Sequence, residues 1–308
     1  MKIYHEISSF PVVNNPVVTV GTFDGVHRGH QQIFQRMKAE AAKIGGETVV
    51  VTFHPHPRLV IHPDSKNLKF INTLEKKFEL IEKAGIDHLV IIPFTKEFSH
   101  LSSADFVKKF LVNGLKVKKL IVGYDHHFGR DRLGSFNDLK GLGKMMGFEV
   151  EEVQAQVIDG TAVSSTKIRL ALEEGNVKLA NRLLGYEYSI SGKVVYGNRI
   201  GRTIGFPTAN IELEDSFKLI SAVGVYACRV DLKGQSFKGM GNIGYRPTIK
   251  PGSLTIEVHI FDFDEEIYGE RITIYFIDRI RDEKRFESIT ALREQLVIDK
   301  GRVMELLR

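Results

Sequence analysis

In the first half of the chain, short runs of β-branched residues alternate with segments in which apolar residues recur every three or four positions. The runs predict strands and the segments predict helices. The predicted strands are 17–20, 48–53, 88–92 and 119–122, and the predicted helices are 29–43, 74–84, 103–113 and 136–146. This alternation predicts an α/β fold with a doubly wound parallel sheet, whose ligands bind at the carboxyl ends of the strands.

The pattern changes after Gly185, where Gly-rich turns separate apolar runs and no helical segment lies between them. Strands are predicted at 188–195, 223–230, 237–243, 253–261 and 271–276. An antiparallel β-barrel is the natural closure for such strands, because it removes unpaired edges. The segment 288–307 returns to helical spacing, with a predicted break near Lys300-Gly301. We therefore predict two domains, 1–185 and 186–308, the second ending in a helix.

Length and composition agree with this division. A chain of 308 residues suggests about two domains at roughly 150 residues each. Hydrophobic content of 43% and charged content of 26% are those of globular proteins and exclude disordered and collagen-like classes. The N-terminus lacks a basic patch before an apolar run, and no segment reaches the ~18 apolar residues of a membrane span. We expect a cytoplasmic protein without a membrane partner, with Cys228 as a buried thiol in a reducing compartment.

The formal net charge of +5 is spread along the chain without a basic run. Nucleic-acid binding would call for a basic stripe with interleaved aromatic residues, and the sequence shows only scattered Lys and Arg residues. The charge pattern therefore favours small anionic ligands and predicts no nucleic-acid partner.

The first candidate site follows the predicted strand 17–20, where a glycine-rich segment with two histidines opens a helix. Its sequence is Gly21-Thr22-Phe23-Asp24-Gly25-Val26-His27-Arg28-Gly29-His30. Glycines let the backbone approach a phosphate, and the amides and dipole of a helix N-terminus favour negative charge. His27 and His30 lie on one helical face and can donate to the same oxyanion. Two alternatives stay open: a capping loop with solvated histidines, and a zinc site that also uses His54 and His56.

Three further segments of the first half carry candidate ligand-binding residues. Ser164, Ser165 and Thr166 open another helix, and Lys167 and Arg169 follow in its first turns. Hydroxyls alone would be helix caps, but the two added cations favour an anion clamp. The loops 52–57 and 123–130 both follow predicted strands, where ligands collect in such a sheet; each could also be an ordinary surface loop.

Taken together, these motifs resemble a known family. His27-Arg28-Gly29-His30 resembles the His-x-Gly-His signature of nucleotidyltransferases with a Rossmann-like fold, and residues 164–169 are similar to the Ser-Ser-Thr-x-x-Arg motif of bacterial FAD synthetases. In the second half, Pro207-Thr208-Ala209-Asn210 resembles the signature of riboflavin kinases. Segments 224–226, 241–248, 256–259 and 268–269 also recur in that family in this order. The chain thus resembles the bifunctional prokaryotic riboflavin kinase/FAD synthetase family over nearly its whole length.

The resemblance implies that the first domain transfers AMP from ATP to FMN, giving FAD and pyrophosphate. His27 and His30 would stabilise the charge that builds on the α-phosphate. The implied ATP-binding residues of this domain are Gly21, Phe23, Asp24, Gly25, Ser164, Ser165, Thr166 and Arg169. The implied flavin-binding residues are Phe53, Pro57, Asp125 and Phe128.

For the second domain, the resemblance implies a kinase that phosphorylates riboflavin to FMN. Glu257 would be the base that accepts the proton of the ribityl hydroxyl, although a strand glutamate in a salt bridge has the same pattern. Thr208 and Asn210 would ligate magnesium that bridges the phosphates of ATP. The implied phosphate-binding residues are Gly197, Gly201, Arg202, Gly205 and Pro207. The tail 279–286 resembles an element that the family places near the flavin ring.

The expected ligands are riboflavin, FMN, FAD and ATP, with Mg²⁺ accompanying ATP and no tightly bound prosthetic group. A homo-oligomer is left open. Two rival functions also stay open: an adenylyltransferase whose barrel only binds flavin, and a flavin-binding regulatory or nucleic-acid-binding protein that has kept the fold and lost turnover. The second rival would be expected to lack residues of the two motifs, but His27, His30, Thr208 and Asn210 are all present.

Overall fold

The structure is a computed structural model that describes residues 1–62, 68–124, 135–197, 200–245 and 254–308. It divides into two compact units, Met1–Ser164 and Ser165–Arg308. Residues 165–185, which the sequence-based division assigns to the first domain, lie in the second unit. The functional division at residue 185 stays a prediction.

A parallel sheet forms the centre of the first unit. Within the described residues its order is β1-β4-β3-β2-β5-β6, and every neighbouring pair is parallel. Its strands are Lys2–Tyr4 (β1), Val17–Val20 (β2), Thr48–His54 (β3), His88–Pro93 (β4), Lys119–Gly123 (β5) and Glu149–Val153 (β6). A small hairpin of Val157–Ile158 (β7) and Thr161–Ala162 (β8) follows. The predicted parallel sheet is confirmed.

Helices cover both faces of this sheet. They are Arg28–Ile44 (α1), Pro57–Ile61 (α2), Leu74–Lys83 (α3), Lys96–Ser99 (α4), Ser103–Phe106 (α5) and Phe136–Met146 (α6). A 3-10 turn spans Ile7–Ser9, and a π-helical segment, Val107–Gly114, directly continues α5. The helix predicted at 103–113 is therefore helical throughout but changes its hydrogen-bond register. Gly45 and Gly147 end α1 and α6 in the left-handed conformation, which glycine adopts without strain.

Successive residues of the central strands face opposite cores. Val18 of β2 packs in the cluster of Phe106 and Leu111, whereas Val17 packs in the cluster of Phe34 and Met37 on the other side. Strands buried on both faces need continuous apolar runs, which is why the runs were readable in the sequence. The sheet order reverses at β2, whose neighbours are β3 and β5. A ligand crevice is expected beside the carboxyl end of β2, where Gly21 begins the histidine loop.

A closed antiparallel barrel forms the second unit, with strand order β10-β13-β12-β11-β14-β9 in the described part of the chain. The strands are Ser189–Val195 (β9), Ala209–Leu213 (β10), Gly224–Leu232 (β11), Gln235–Tyr245 (β12), Leu254–Ile260 (β13) and Arg271–Arg281 (β14). The helices are Ser165–Glu173 (α7), Val177–Leu184 (α8), Ile200–Thr203 (α9) and Ile289–Leu306 (α10). The predicted barrel with a terminal helix is confirmed.

The break predicted in the terminal helix is wrong, because α10 continues through Lys300 and Gly301 to Leu306. Two buried residues on either side of the glycine, Asp299 and Val303, hold this part of the helix against the barrel. The Asp299 carboxylate accepts from Arg281 Nε of β14 at 2.9 Å. Tertiary contacts therefore outweigh the helix-weakening effect of one glycine, which is about 1 kcal/mol.

Sequence patterns did not reveal β1, β6, β10 or α8. Strands β1 and β6 lie at the edges of the sheet and consist mostly of exposed or half-buried residues, so they lack an apolar run. Strand β10 contains Asn210 and Glu212, which are atypical of strands. Across the described residues, the structure contains no helix with the length and apolar character that a membrane crossing requires.

Candidate active sites

The loop after β2 has an unusual backbone. Phe23 has φ 48°, Gly25 has φ 86° and Val26 has φ 36°. The left-handed conformation costs a non-glycine residue roughly 1–2 kcal/mol, so the surroundings must hold Phe23 and Val26 in place. Asp24 contributes, since its buried carboxylate accepts from the Ile71 amide at 3.0 Å and from the Asn72 amide at 3.3 Å. The loop is thereby fixed to the segment that leads into α3.

His27 and His30 meet at the N-terminus of α1. Their rings are stacked with centroids 3.6 Å apart, and His27 Nδ1 accepts a long hydrogen bond of 3.4 Å from the His30 amide. Nδ1 of His27 therefore carries no proton, and the hydrogen of the neutral ring is on Nε2. In this arrangement the two rings act as one unit at the positive end of a helix dipole.

Burial keeps His30 neutral. Its Nδ1 atom is buried and has no hydrogen-bond partner among the described residues. Desolvation lowers the pKa of His30 well below the ordinary histidine value, and a second proton on His27 and the charge of Lys77 lower it further. A neutral imidazole still has one N–H group, so His30 can donate a hydrogen bond to a phosphate oxygen while it carries no charge.

The predicted ATP-binding residues of this loop have different environments. Phe23 is buried under Gly21, where an added Cβ would come within 2.9 Å of the Phe23 ring. The same ring packs edge-on against His30 at 5.1 Å. The side chains of Phe23 and Asp24 thus stabilise the loop. Gly21 and Gly25 can offer only backbone atoms to a ligand. Their contact with ATP stays a prediction.

The remaining predicted ATP-binding residues of the first site lie in two places. Ser164 directly follows Val163, whose carbonyl oxygen would lie 3.9 Å from a Cβ at Gly29. Ser165, Thr166 and Arg169 belong to α7 in the second unit, so their part in the first site stays a prediction.

The flavin-binding residues predicted in the first half are only partly described. Phe53, near the end of β3, packs against Phe94 and Phe98 at centroid distances of 5.6 and 5.7 Å. Pro57 is the first residue of α2. Asp125 and Phe128 lie outside the described residues. The rings of Phe53, Phe94 and Phe98 are edge-on or tilted to one another and form an apolar cluster at the carboxyl edge of the sheet.

Sequence reasoning missed one buried cation near the histidines. Lys77 of α3 is 7% exposed, and it interacts electrostatically with His30 and Asp24. A signal was present in the sequence: Lys77 takes a place in the apolar stripe that includes Leu74, Phe78 and Ile81. A lysine at such a position must lose much of its hydration.

The second site is assembled by strand register. Glu257 of β13 lies opposite Asn210 of β10 on one side and Asn242 of β12 on the other. Thr208, just before β10, donates from Oγ1 to Glu257 Oε2 over 3.4 Å. Thr208 and Asn210, which are two positions apart, thus meet Glu257, 49 positions after Thr208, and the three residues present oxygen atoms at one place on the barrel.

The glycine-rich segment before β10 packs tightly around these residues. An added Cβ at Gly197 would collide with the Asn210 side chain, and one at Gly201 would collide with the Phe206 carbonyl oxygen. The Phe206 amide donates to the Gly201 carbonyl at 2.8 Å and closes the turn. Pro207 is held in place because its carbonyl accepts from Nδ1 of His259 at 2.7 Å. Arg202 and Gly205, which has φ 82°, are exposed on the turn.

The donor atoms of this second site fit magnesium. Mg²⁺ prefers oxygen ligands and usually keeps waters and substrate phosphates in its coordination sphere, so one or two protein oxygens suffice. Thr208 supplies a hydroxyl oxygen, Asn210 an amide oxygen and Glu257 carboxylate oxygens. No group of three or more His, Cys, Asp or Glu side chains, of the kind zinc requires, is placed to hold a metal within the described residues.

Two family models match the chain and divide it between them. The model described as FAD synthetase matches residues 11–167, and the model described as riboflavin kinase matches residues 184–307. Proteins called bifunctional riboflavin kinase/FMN adenylyltransferase are similar over most of the chain. The one from Pseudomonas fluorescens is 40% identical and covers 92% of this chain and 90% of its own. The one from Listeria monocytogenes is 41% identical, with 93% and 90% covered.

A similar fold is found in a solved structure described as a macrolide-efflux protein from Streptococcus pneumoniae. It superposes with a TM-score of 0.90 at 33% identity and covers 98% of both chains. The two-unit architecture is therefore shared over the full length of an experimentally determined protein.

Proposed function

The chain belongs to the bifunctional riboflavin kinase/FMN adenylyltransferase family, and from this premise we propose which residues perform each of its two reactions. As a member of the family, the protein phosphorylates riboflavin to FMN with ATP. It also transfers AMP from a second ATP to FMN, which gives FAD and pyrophosphate. The two matched segments assign adenylyl transfer to the N-terminal part and the kinase to the C-terminal part.

In adenylyl transfer, a phosphate oxygen of FMN attacks the α-phosphorus of ATP and pyrophosphate leaves. We assign His27 and His30 as the donors to the α-phosphate oxygens, whose negative charge increases during the attack. The stacked pair at the N-terminus of α1 supports this role, because preorganised donors need no reorientation in the transition state. The start of α1 supplies backbone amides of the phosphate site, and we propose that Gly21 and Gly25 let the backbone approach the phosphates; the Gly21 amide itself donates to the Val51 carbonyl at 3.0 Å. We propose that Ser164, Ser165, Thr166 and Arg169 complete the site.

In the kinase reaction, the ribityl hydroxyl of riboflavin attacks the γ-phosphorus of ATP. We assign Glu257 as the base that accepts the hydroxyl proton. The observation that carries this assignment is the convergence of Glu257, Thr208 and Asn210 through strand register. Thr208 and Asn210 would hold Mg²⁺, which neutralises phosphate charge when bound. We propose that Gly197, Gly201, Arg202, Gly205 and Pro207 cradle the phosphates.

Incubating the purified protein with riboflavin, ATP and Mg²⁺, and separating the flavins over time, tests both activities at once. FMN should appear first and FAD later, because FMN is the substrate of the second reaction. FMN without FAD, even after FMN is added, would contradict the assignment of the N-terminal part. No conversion at all would contradict both. Replacing Mg²⁺ by a chelator should stop both reactions.

A further inference from the structure

Lys77 is a buried lysine to which neither of the two proposed sites assigns a role. It lies on the inward face of α3, in line with Phe78 and the fully buried Ile81. Burying an ammonium group in apolar surroundings disfavours its charged form, so such a position calls for a nearby anion. The neighbouring Lys76 has a carboxylate partner of its own, since its Nζ forms a partly buried ion pair with Glu79 at 2.9 Å.

The histidine loop holds the helix that carries Lys77. Asp24 of that loop accepts hydrogen bonds from the amides of Ile71 and Asn72, which precede the N-cap residue of α3. That residue, Thr73, accepts from the Lys76 amide with Oγ1 at 3.3 Å. Lys77 follows one helical turn after the cap. The loop and the first turns of α3 therefore form one assembly that fixes Lys77 relative to the histidines.

Within the described residues, Asp24 is the one acidic group whose charge is shown to act on Lys77. Desolvation lowers the pKa of Lys77, and only the attraction of Asp24 opposes the shift. The Asp24 carboxylate already accepts from two backbone amides. An independent feature points the same way, since Nδ1 of His30 is buried without a hydrogen-bond partner among the described residues. Two desolvated nitrogen groups thus stand beside the phosphate loop.

We propose that Lys77 is a phosphate-binding residue of the adenylyl transfer site and holds the β- and γ-phosphates of ATP. The proposal rests on the function assigned to His27 and His30. As the oxygen of FMN bonds to the α-phosphorus, the bond from that phosphorus to the bridging oxygen breaks, and its electron pair stays on pyrophosphate. The ammonium of Lys77 stabilises this increasing charge on the leaving group. When ATP binds, its phosphates supply buried Lys77 with an anionic partner besides Asp24.

Three variants of the full chain test the proposal: Lys77→Met, Lys77→Arg and, as the matched control, Lys76→Met. Calorimetric binding of pyrophosphate with Mg²⁺, and the KM for ATP in FAD formation from FMN, are the readouts. A charged hydrogen bond contributes roughly 1.5–3 kcal/mol, so Lys77→Met should weaken pyrophosphate binding about 10- to 100-fold and raise the KM to a similar extent. Lys77→Arg should retain part of the affinity. Lys76→Met should stay within about twofold of the parent protein.

Unchanged pyrophosphate binding and KM in Lys77→Met, with a lower thermal stability, would show that Lys77 only balances the charge of Asp24 and would overturn the proposal. If Lys77→Met does not fold, acetylation of the parent protein followed by mass spectrometry decides. Saturating pyrophosphate should then slow modification of Lys77 about tenfold and leave Lys76 unaffected; equal protection or none overturns the proposal. Failure of the parent protein to form FAD would instead contradict the assigned function itself.

Discussion

The candidate sites of the two units contain groups of different chemistry. In the first unit, the loop that follows the buried strand β2 brings together backbone amides, the N-terminus of α1 and desolvated nitrogen side chains. In the second unit, hydroxyl, amide and carboxylate oxygens meet across neighbouring strands of a barrel. Nitrogen donors suit the phosphate oxygens themselves, whereas oxygen donors suit the magnesium that accompanies them. The difference implies that the two reactions can be disabled separately.

Removing the histidine pair is the strongest test of this separation. His27→Ala combined with His30→Ala should reduce FAD formation by about 10³-fold, since single oxyanion donors contribute about 10²–10³. FMN formation from riboflavin should be unchanged, because no barrel residue is altered. Both rates are measured by chromatographic separation of the flavins. The exposed His100 provides a control, His100→Ala, that should change neither rate.

Loss of both activities in the histidine variant would point to a shared site or a folding defect. Circular dichroism and the melting temperature distinguish these outcomes, since a folding defect changes both.

The opposite test removes the proposed base of the barrel. Glu257→Gln keeps the size of the side chain but cannot accept a proton, so riboflavin phosphorylation should fall about 10²- to 10⁴-fold. FAD formation from added FMN should be retained. Glu212→Gln, on the exposed side of β10, is the matched control and should behave like the parent protein. Kinase activity that survives intact in Glu257→Gln would restrict the role of this glutamate to structure.

A stability test sharpens the comparison without touching either site. Glu40 of α1 is buried and pairs with Lys119 at 2.6 Å, Lys43 at 2.6 Å and Arg36 at 2.8 Å, and these cations lower the pKa of Glu40 to about 2. Glu40→Gln should lower the free energy of unfolding of the first unit by about 2 kcal/mol. This is less than the cost of breaking an isolated buried ion pair, because Glu151 still binds Lys119 and Arg36.

In that variant, heating should abolish FAD formation at a lower temperature than FMN formation. Glu82→Gln, at an exposed position, should leave both temperatures unchanged. Equal shifts of the two activities would mean that the units unfold as one.

The smallest expected effect is the pH dependence of stability. The pKa of His30 is lowered in the folded protein, so below about pH 6.5 the unfolded chain binds more protons than the folded one. The contribution of neutral His30 to stability is therefore complete above that pH and is lost as the pH falls towards its folded value. Urea unfolding followed by circular dichroism, at pH 7.5 and pH 5.5, measures the loss. A variant with His30→Ala should show a weaker dependence on pH.

Local sequence patterns predicted the structure correctly wherever the residues of a single segment determine it. The run Val17–Val20 predicted a buried strand, and the apolar spacing over 136–146 predicted α6 with the same ends. The motif around His27 predicted a phosphate-binding turn because strand, glycines and helix start are adjacent in the chain. The break predicted at Gly301 failed because the contacts of Asp299 with Arg281 come from a distant strand.

The sequence by itself determined the two-part architecture, the helix that begins at the histidine pair and the family resemblance, since each depends on short stretches of chain. Only the tertiary structure decided that Glu257 lies opposite Asn210, that Asp24 holds the start of α3, and that Lys77 is buried near His30. In the first two cases, the residues that meet are 47 positions apart in the sequence. The physical reason is that register and burial are set by packing between elements, and hydrophobic periodicity records only the faces of each element.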